Sequence, residues 1–161
     1  LVGSEMCIRD RLTPDFRDRD ECLSVVFASR PDVFNHNIET VRRLTPRVRN
    51  KATYDRTLSV LSKASKAGLV AKSGIMLGHS ETHGELLETF RHLRAAGVRM
   101  LTLGQYLPPS PRHLPVHRFY APEEFDALRE EALQCGFLDV AAGPLVRSSY
   151  HADESAKSLK S

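Results

Sequence analysis

From residue 12 onward, short apolar runs alternate with stretches whose apolar positions recur every three or four residues. These two periods separate strands from amphipathic helices. Residues 18–29 read as a helix, and "DVFNHN" (32–37) as a short strand. In "TYDRTLSVLSKASKAG" (53–68), Tyr54, Leu58, Leu61 and Ala64 share one helical face, and Gly68 supplies a left-handed stop. "LVAKSGIMLG" (69–78) reads as a strand. Thr82 and Glu85 then have capping-box spacing, and Leu86, Phe90 and Leu93 form the buried stripe of a helix stopped at Gly97. "RMLTLGQ" (99–105) is another strand. "APEEFDALREEALQCG" (121–136) is a helix with Pro122 in its first turn, acidic residues near its positive end, and Phe125, Leu128, Ala132 and Cys135 inward. The apolar stretch "FLDVAAGPLV" (137–146) leads into a polar tail that reads "RSSYHADE".

This succession of β–α units predicts an α/β fold with a parallel sheet, either doubly wound or part of a barrel. The strands end in "NHNIET" (35–40), "GHSET" (78–82) and "GQYLPPSPRHLP" (104–115), and the last region in "GPLVRSSYH" (143–151). Apolar strand bodies with polar or glycine-rich C-terminal ends place a ligand site on that edge of the sheet in both folds. The expectation is an enzyme or ligand binder rather than a scaffold.

Composition adds exclusions. The chain has 161 residues, enough for one domain, whereas most closed barrels run to roughly 200 or more. No apolar run approaches the roughly 20 residues of a membrane span, so no membrane segment is expected. The net charge is +3 with Lys and Arg scattered, which argues against nucleic acid as a partner. Cys7, Cys22 and Cys135 are far apart, without metal-ligand spacing, and fit a reducing compartment. "LVGSEMCIRDR" (1–11) resembles translated linker sequence from read assembly. It is set aside, leaving 12–154 as the domain and 155–161 as a frayed tail.

Three places carry candidate chemistry. A strand through "FNHNIET" puts Asn35, Asn37 and Glu39 on one face, suited to a ligand's hydroxyls and amines; an Asn-rich turn satisfying its own backbone explains them equally well. Gly74 and Gly78 would let a flat ligand approach the backbone, or would simply permit a tight strand-to-helix turn. His79 and His83 are four apart but straddle a helix start and lack a third ligand, so zinc is disfavoured. "LPPSPRHLPVHR" (107–118), with four of the nine prolines, is either a rigid channel wall or a stiff surface connection. Nucleophile-elbow, P-loop and Rossmann motifs are absent. On the residues alone, the reading stops at a ligand-binding α/β half-barrel.

Taken together, "PDFR", "PDVFNHNIETV", "KSGIMLG", "LRAAGV", "LTLGQYL", "RHLPV" and "GPLVRSSYHAD", in order from Leu12 to Asp153, resemble the lipoyl synthase family of radical S-adenosylmethionine (SAM) enzymes. The resemblance implies the C-terminal part of a partial parallel β/α (TIM-like) barrel. It implies insertion of two sulfur atoms into C6 and C8 of an octanoyl chain. The cofactors it implies are SAM and two 4Fe–4S clusters, one cleaving SAM and an auxiliary one supplying sulfur. The implied partners are an octanoylated lipoyl carrier domain or glycine cleavage H protein, and an electron donor such as flavodoxin or ferredoxin. A cytoplasmic location follows, with an organellar one as the alternative. By similarity to the related biotin synthase motif, Asn37 and Glu39 are implied SAM contacts, with Asn35 beside them. Gly74 and Gly78 are implied near the adenosyl moiety, and Arg56 is a weaker candidate for the methionine carboxylate. A serine of "RSSY", Ser149 or failing that Ser148, is the implied auxiliary-cluster ligand, supported by Arg147. An alkoxide suits iron less well than a thiolate, which favours release of that iron.

Two features depart from the family. Its CxxxCxxC and auxiliary-cluster cysteine motifs are missing, and Cys22 and Cys135 do not match them. The expectation is therefore a C-terminal fragment, inactive alone. "GHSET" also stands where the family reads closer to "GLGET". The competing readings are a biotin synthase-like or other radical SAM sulfur inserter, and a non-catalytic ligand-binding barrel.

Overall fold

The computed structural model describes residues 9–49 and 51–148. Its strands are β1 (Asp10–Leu12), β2 (Val33–Asn35), β3 (Val70–Leu77), β4 (Met100–Gln105) and β5 (Asp139–Gly143), all parallel and hydrogen-bonded in the order β1-β2-β3-β4-β5. A doubly wound sheet would reverse its strand order at a switch point. Sequential order with a helical segment between successive strands is the layout of a β/α barrel, and the chain forms part of one.

The helices are α1 (Asp20–Ala28), α2 (Thr45–Val48), α3 (Tyr54–Lys66), α4 (His83–Ala95) and α5 (Pro122–Gln134). Their boundaries follow local chemistry. The Thr53 side chain caps α3 by accepting from the Arg56 amide, and Thr82 and Glu85 close the expected capping box on α4. Gly68 and Gly97 stop α3 and α4 with φ of 81° and 84°.

One face of the sheet packs on the helices. Ala71, Ile75, Leu77, Leu101, Leu103 and Val140 from the strands meet Leu61, Leu86, Phe90, Leu93, Phe125 and Leu128 from α3, α4 and α5 in a single core. Strand alternation sends the intervening residues to the inner face, where the register aligns Asn35, Lys72, Met100 and Asp139 in one row. The next rows are Gly74, Thr102 and Ala141, then Met76, Gly104 and Gly143. On β4 and β5 the inner face thus shrinks to small side chains toward the C-terminal ends, leaving room beside Met76 of β3.

The structure differs from the sequence reading at the start of the chain. Asp10 and Arg11, set aside with the leader, pair with Val33 and Phe34 as part of β1. The 18–29 helix begins at Asp20, after a short 3-10 turn at Phe16–Asp18, and α2 was not anticipated. No helix among the described residues is long and apolar enough to cross a membrane.

Candidate functional site

After β2 the chain stays beside β3 rather than leaving the sheet. The His36 amide donates to Lys72 O (3.0 Å), and the Glu39 amide to Gly74 O (2.9 Å). The Met76 amide returns a bond to Glu39 O (2.8 Å). Between these, Ser73 Oγ donates to His36 O (2.9 Å) and accepts from the Ile38 amide (3.1 Å). Glu39 sits at φ 70°, a left-handed turn held by those bonds.

His36 points away from the inner face. Its Nδ1 lies 2.8 Å from Thr13 O, which only accepts, so Nδ1 carries the proton and Nε2 accepts from Thr57 Oγ1 at 3.2 Å. Burial holds the ring neutral by pushing its pKa below the ordinary value, and the nearby Arg49 charge acts the same way. Arg49 Nη1 donates to Asn37 O (2.7 Å) and to Thr57 Oγ1 (3.2 Å). Burial raises the Glu39 pKa, while the Arg49 charge and an Asn37 hydrogen bond oppose the rise.

Asn37 reaches over Gly74. A Cβ on Gly74 would stand 2.7 Å from Thr102 Oγ1 and 2.9 Å from Asn37 Oδ1, so glycine is what lets these side chains cross the strand. Asn37 Oδ1 and Asn35 Oδ1 are both buried without a hydrogen-bond partner. Unmet buried acceptors are costly, and they suit a ligand that brings hydroxyl or amine donors.

A cavity of about 150 Å³ opens at this point, with Asn37, Glu39, Thr102, Gly104, Arg147 and Ser148 in its wall. The last two arrive because the chain turns back after β5, with the Val146 amide donating to Gly143 O (3.1 Å). The Asn35 side-chain amide then donates to Ser148 O (3.3 Å).

Of the residues singled out in the sequence, Asn37, Glu39, Arg147 and Ser148 meet in this one cavity. Gly74 adjoins it through Asn37, and Asn35 through Ser148. Gly78 does not join them: its φ is 112°, and a Cβ there would strike Gln105 Nε2 (2.5 Å) and Arg118 O (2.7 Å), so it serves the turn into α4. Arg56 is occupied elsewhere, donating to Asp15 Oδ2 and Lys51 O, each at 3.1 Å. Ser149 lies outside the described residues. Arg49 had no sequence signal, since only the fold of the β2–α3 connection brings it back to Asn37. Gly104, inside a strand, carried the usual hint of close backbone approach.

His79 and His83 part company, His79 stacking on Tyr106 (centroids 3.9 Å apart) and His83 Nε2 lying 2.8 Å from Glu131. Among the described residues, no group of three or more His, Cys, Asp or Glu side chains is placed to hold a metal. A larger cavity of about 450 Å³ opens by the starts of α4 and α5, where Tyr120 is paired with Glu81 and His83 with Glu131, both at 2.8 Å.

Comparison with known proteins gives a consistent picture. A family model described as "Radical SAM superfamily" matches residues 12–93. The lipoyl synthase of Symbiobacterium thermophilum is 57% identical over 145 residues, 89% of this chain and 45% of that protein. Lipoyl synthase 2 of Gloeobacter violaceus is 54% identical over 145 residues, 89% of this chain and 50% of the relative. The lipoyl synthase of Staphylococcus carnosus is 58% identical over 136 residues, 83% and 44% of the two chains. The chain spans about half the length of the curated relatives it matches. Among solved structures, Streptococcus suis SuiB superposes with a TM-score of 0.65 at 10% identity, covering 82% of this chain and 32% of that one, a likeness of fold alone.

Proposed function

The chain belongs to the radical SAM superfamily, and from that premise we propose that it acts in lipoate biosynthesis as a lipoyl synthase, inserting sulfur at C6 and C8 of a protein-bound octanoyl group. The observation that carries this reading is the convergence of the Asn37–Glu39 turn and the Arg147–Ser148 tail on one cavity. The turn and the tail are the two elements that the proposed chemistry needs side by side.

SAM fits the residues present. Asn37 Oδ1 is an unmet buried acceptor, and Glu39 offers carboxylate oxygens beside it, a pair matched to vicinal ribose hydroxyls. Gly74 keeps the wall open behind them. When bound with a reduced cluster, SAM supplies the radical that removes hydrogen from unactivated carbons. Asn37 and Glu39 would hold and orient it, and Arg49 would keep both in place through the Asn37 carbonyl. A 4Fe–4S cluster has no ligand set among the described residues, so no step is assigned through one. The tail would contribute a serine, Ser149 or Ser148, with Arg147 offsetting the charge of an ionised hydroxyl. Gly78 and Arg56 do not line this cavity and are left out of the proposed SAM-contact set. The partners entailed are an octanoylated lipoyl carrier domain or glycine cleavage H protein and an electron donor such as flavodoxin or ferredoxin, in the cytoplasm.

The test is a chimera joining the first half of the S. thermophilum lipoyl synthase to residues 12–161, reconstituted anaerobically. It should convert an octanoyl-lysyl peptide to the lipoyl form with SAM and reductant. Glu39→Ala should lower SAM affinity at least about tenfold, the scale of one lost charged hydrogen bond, and Asn37→Ala about threefold to tenfold, the scale of a neutral one. A chimera that holds both clusters and binds SAM yet leaves the peptide unsulfurated would refute the reading.

A further inference from the structure

The inner face at β4 carries an unusual vacancy. Gly104 is flanked in register by Met76 and Gly143, and the site its Cβ would take is filled by the Val146 carbonyl oxygen, at clashing distance. Backbone oxygen cannot swing aside as a long side chain would, so any larger residue at 104 must move the tail. Two strands over, on β2, Asn35 Nδ2 donates to Ser148 O at 3.3 Å, across 113 residues of sequence. The Val146 amide closes the turn on Gly143 O. These contacts hold Val146 through Gly104 and Gly143, and Ser148 through Asn35.

We propose that Gly104 and Asn35 are positioning residues that seat the C-terminal tail on the inner face of the barrel and so present Ser148 at the mouth of the Asn37–Glu39 cavity. Gly104 acts by leaving space for the Val146 carbonyl, and Asn35 by donating a hydrogen bond to the Ser148 carbonyl. Asn35 is therefore assigned to the tail through its Nδ2. That the seated serine region serves an iron–sulfur cluster rests on the reading above; the seat itself stands on the contacts alone.

Trypsin reads the seat directly, because the exposed Arg147 precedes Ser148. Cleavage of a folded protein tracks the population of the opened segment. In the 161-residue chain, Gly104→Ala should raise the rate of cutting after Arg147 about tenfold or more, and Asn35→Ala, which removes one hydrogen bond, about threefold to tenfold. Cutting after Arg129, inside α5, should not change in either variant, which separates tail release from general unfolding. In ¹⁵N-labelled protein, a cross-peak should join the Asn35 side-chain amide to Ser148, and Gly104→Ala should erase it. Should Gly104→Ala fail to fold, Asn35→Ala and the wild-type cross-peak decide the matter. The seat is overturned if the Arg147 rate stays at the wild-type value in a folded variant, if it rises only in step with Arg129, or if the cross-peak is absent from the wild type. No SAM, cluster or substrate enters these measurements, so failure here leaves the sulfur-insertion test intact, and the reverse holds.

Discussion

Lys72 Nζ lies 2.9 Å from Asp10 Oδ2 on the inner face, with the two side chains only 2% and 12% exposed. An ammonium buried on a strand between Asn35 and Met100 needs a counter-charge, and the three-residue β1 supplies it. Breaking a buried ion pair by removing one member strands the other charge, which costs about 3–5 kcal/mol. Asp10→Asn should lose about 3 kcal/mol in urea unfolding, whereas a Lys72→Met, Asp10→Leu double variant should recover most of it. A chain lacking residues 1–11 that is as stable as the full one would show that the pair contributes nothing.

The "GHSET" turn stores strain. Ser80 has φ 83°, a conformation natural to glycine, and His79 has both ring nitrogens buried and without partners. Arg43 braces the turn, donating to Ser80 O (2.9 Å) and pairing with Glu85, whose carboxyl it holds down to a pKa of about 2. Ser80→Gly should add about 1 kcal/mol of stability, and His79→Leu about 1–2 kcal/mol more by removing unmet polar groups. Thermal unfolding of both variants checks this, and a lower melting temperature in either would contradict it.

Buried neutral His36 makes the fold acid-sensitive. Its folded pKa lies below the ordinary 6.5, so the unfolded chain takes up the proton first as pH falls. Its contribution is therefore complete above that value and is lost as pH drops toward the folded pKa. Glu39, with a raised folded pKa, works in the opposite sense, its contribution fading as pH rises above about 4.5. The His36 share is the difference between wild type and His36→Asn. Their stability gap should narrow between about pH 7 and pH 5 in denaturant titrations, and a constant gap would exclude the effect.

Arg49 and Arg56 should separate in binding. Removing Arg49 frees the Asn37 carbonyl and strips Glu39 of its neighbouring charge. Arg49→Gln in the chimera should weaken SAM binding about tenfold or more by calorimetry, the scale of a charged hydrogen bond. Arg56→Gln should leave binding unchanged and cost at most about 1 kcal/mol of stability through its pair with Asp15. Equal effects on binding would overturn the distinction.

The helices and strands from α1 to β5, α2 excepted, were legible because their causes are local: a 3.6- or 2-residue period, the Thr82–Glu85 box, glycine at φ 81° after α3. So was the polar edge carrying Asn37, Glu39, Arg147 and Ser148, since apolar strand bodies leave only their ends for chemistry. Strand order decided barrel over doubly wound sheet, and that is a matter of which hydrogen-bonding edge each strand finds. β1 had no pattern of its own, because three residues become a strand only when β2 offers an unpaired edge. Gly78 and Arg56 drew attention by spacing, yet spacing does not say which neighbour fills the adjacent space. Arg49 on Asn37, Asn35 on Ser148 and Val146 over Gly104 exist only once distant segments are packed together, where excluded volume and unmet hydrogen bonds decide what touches what.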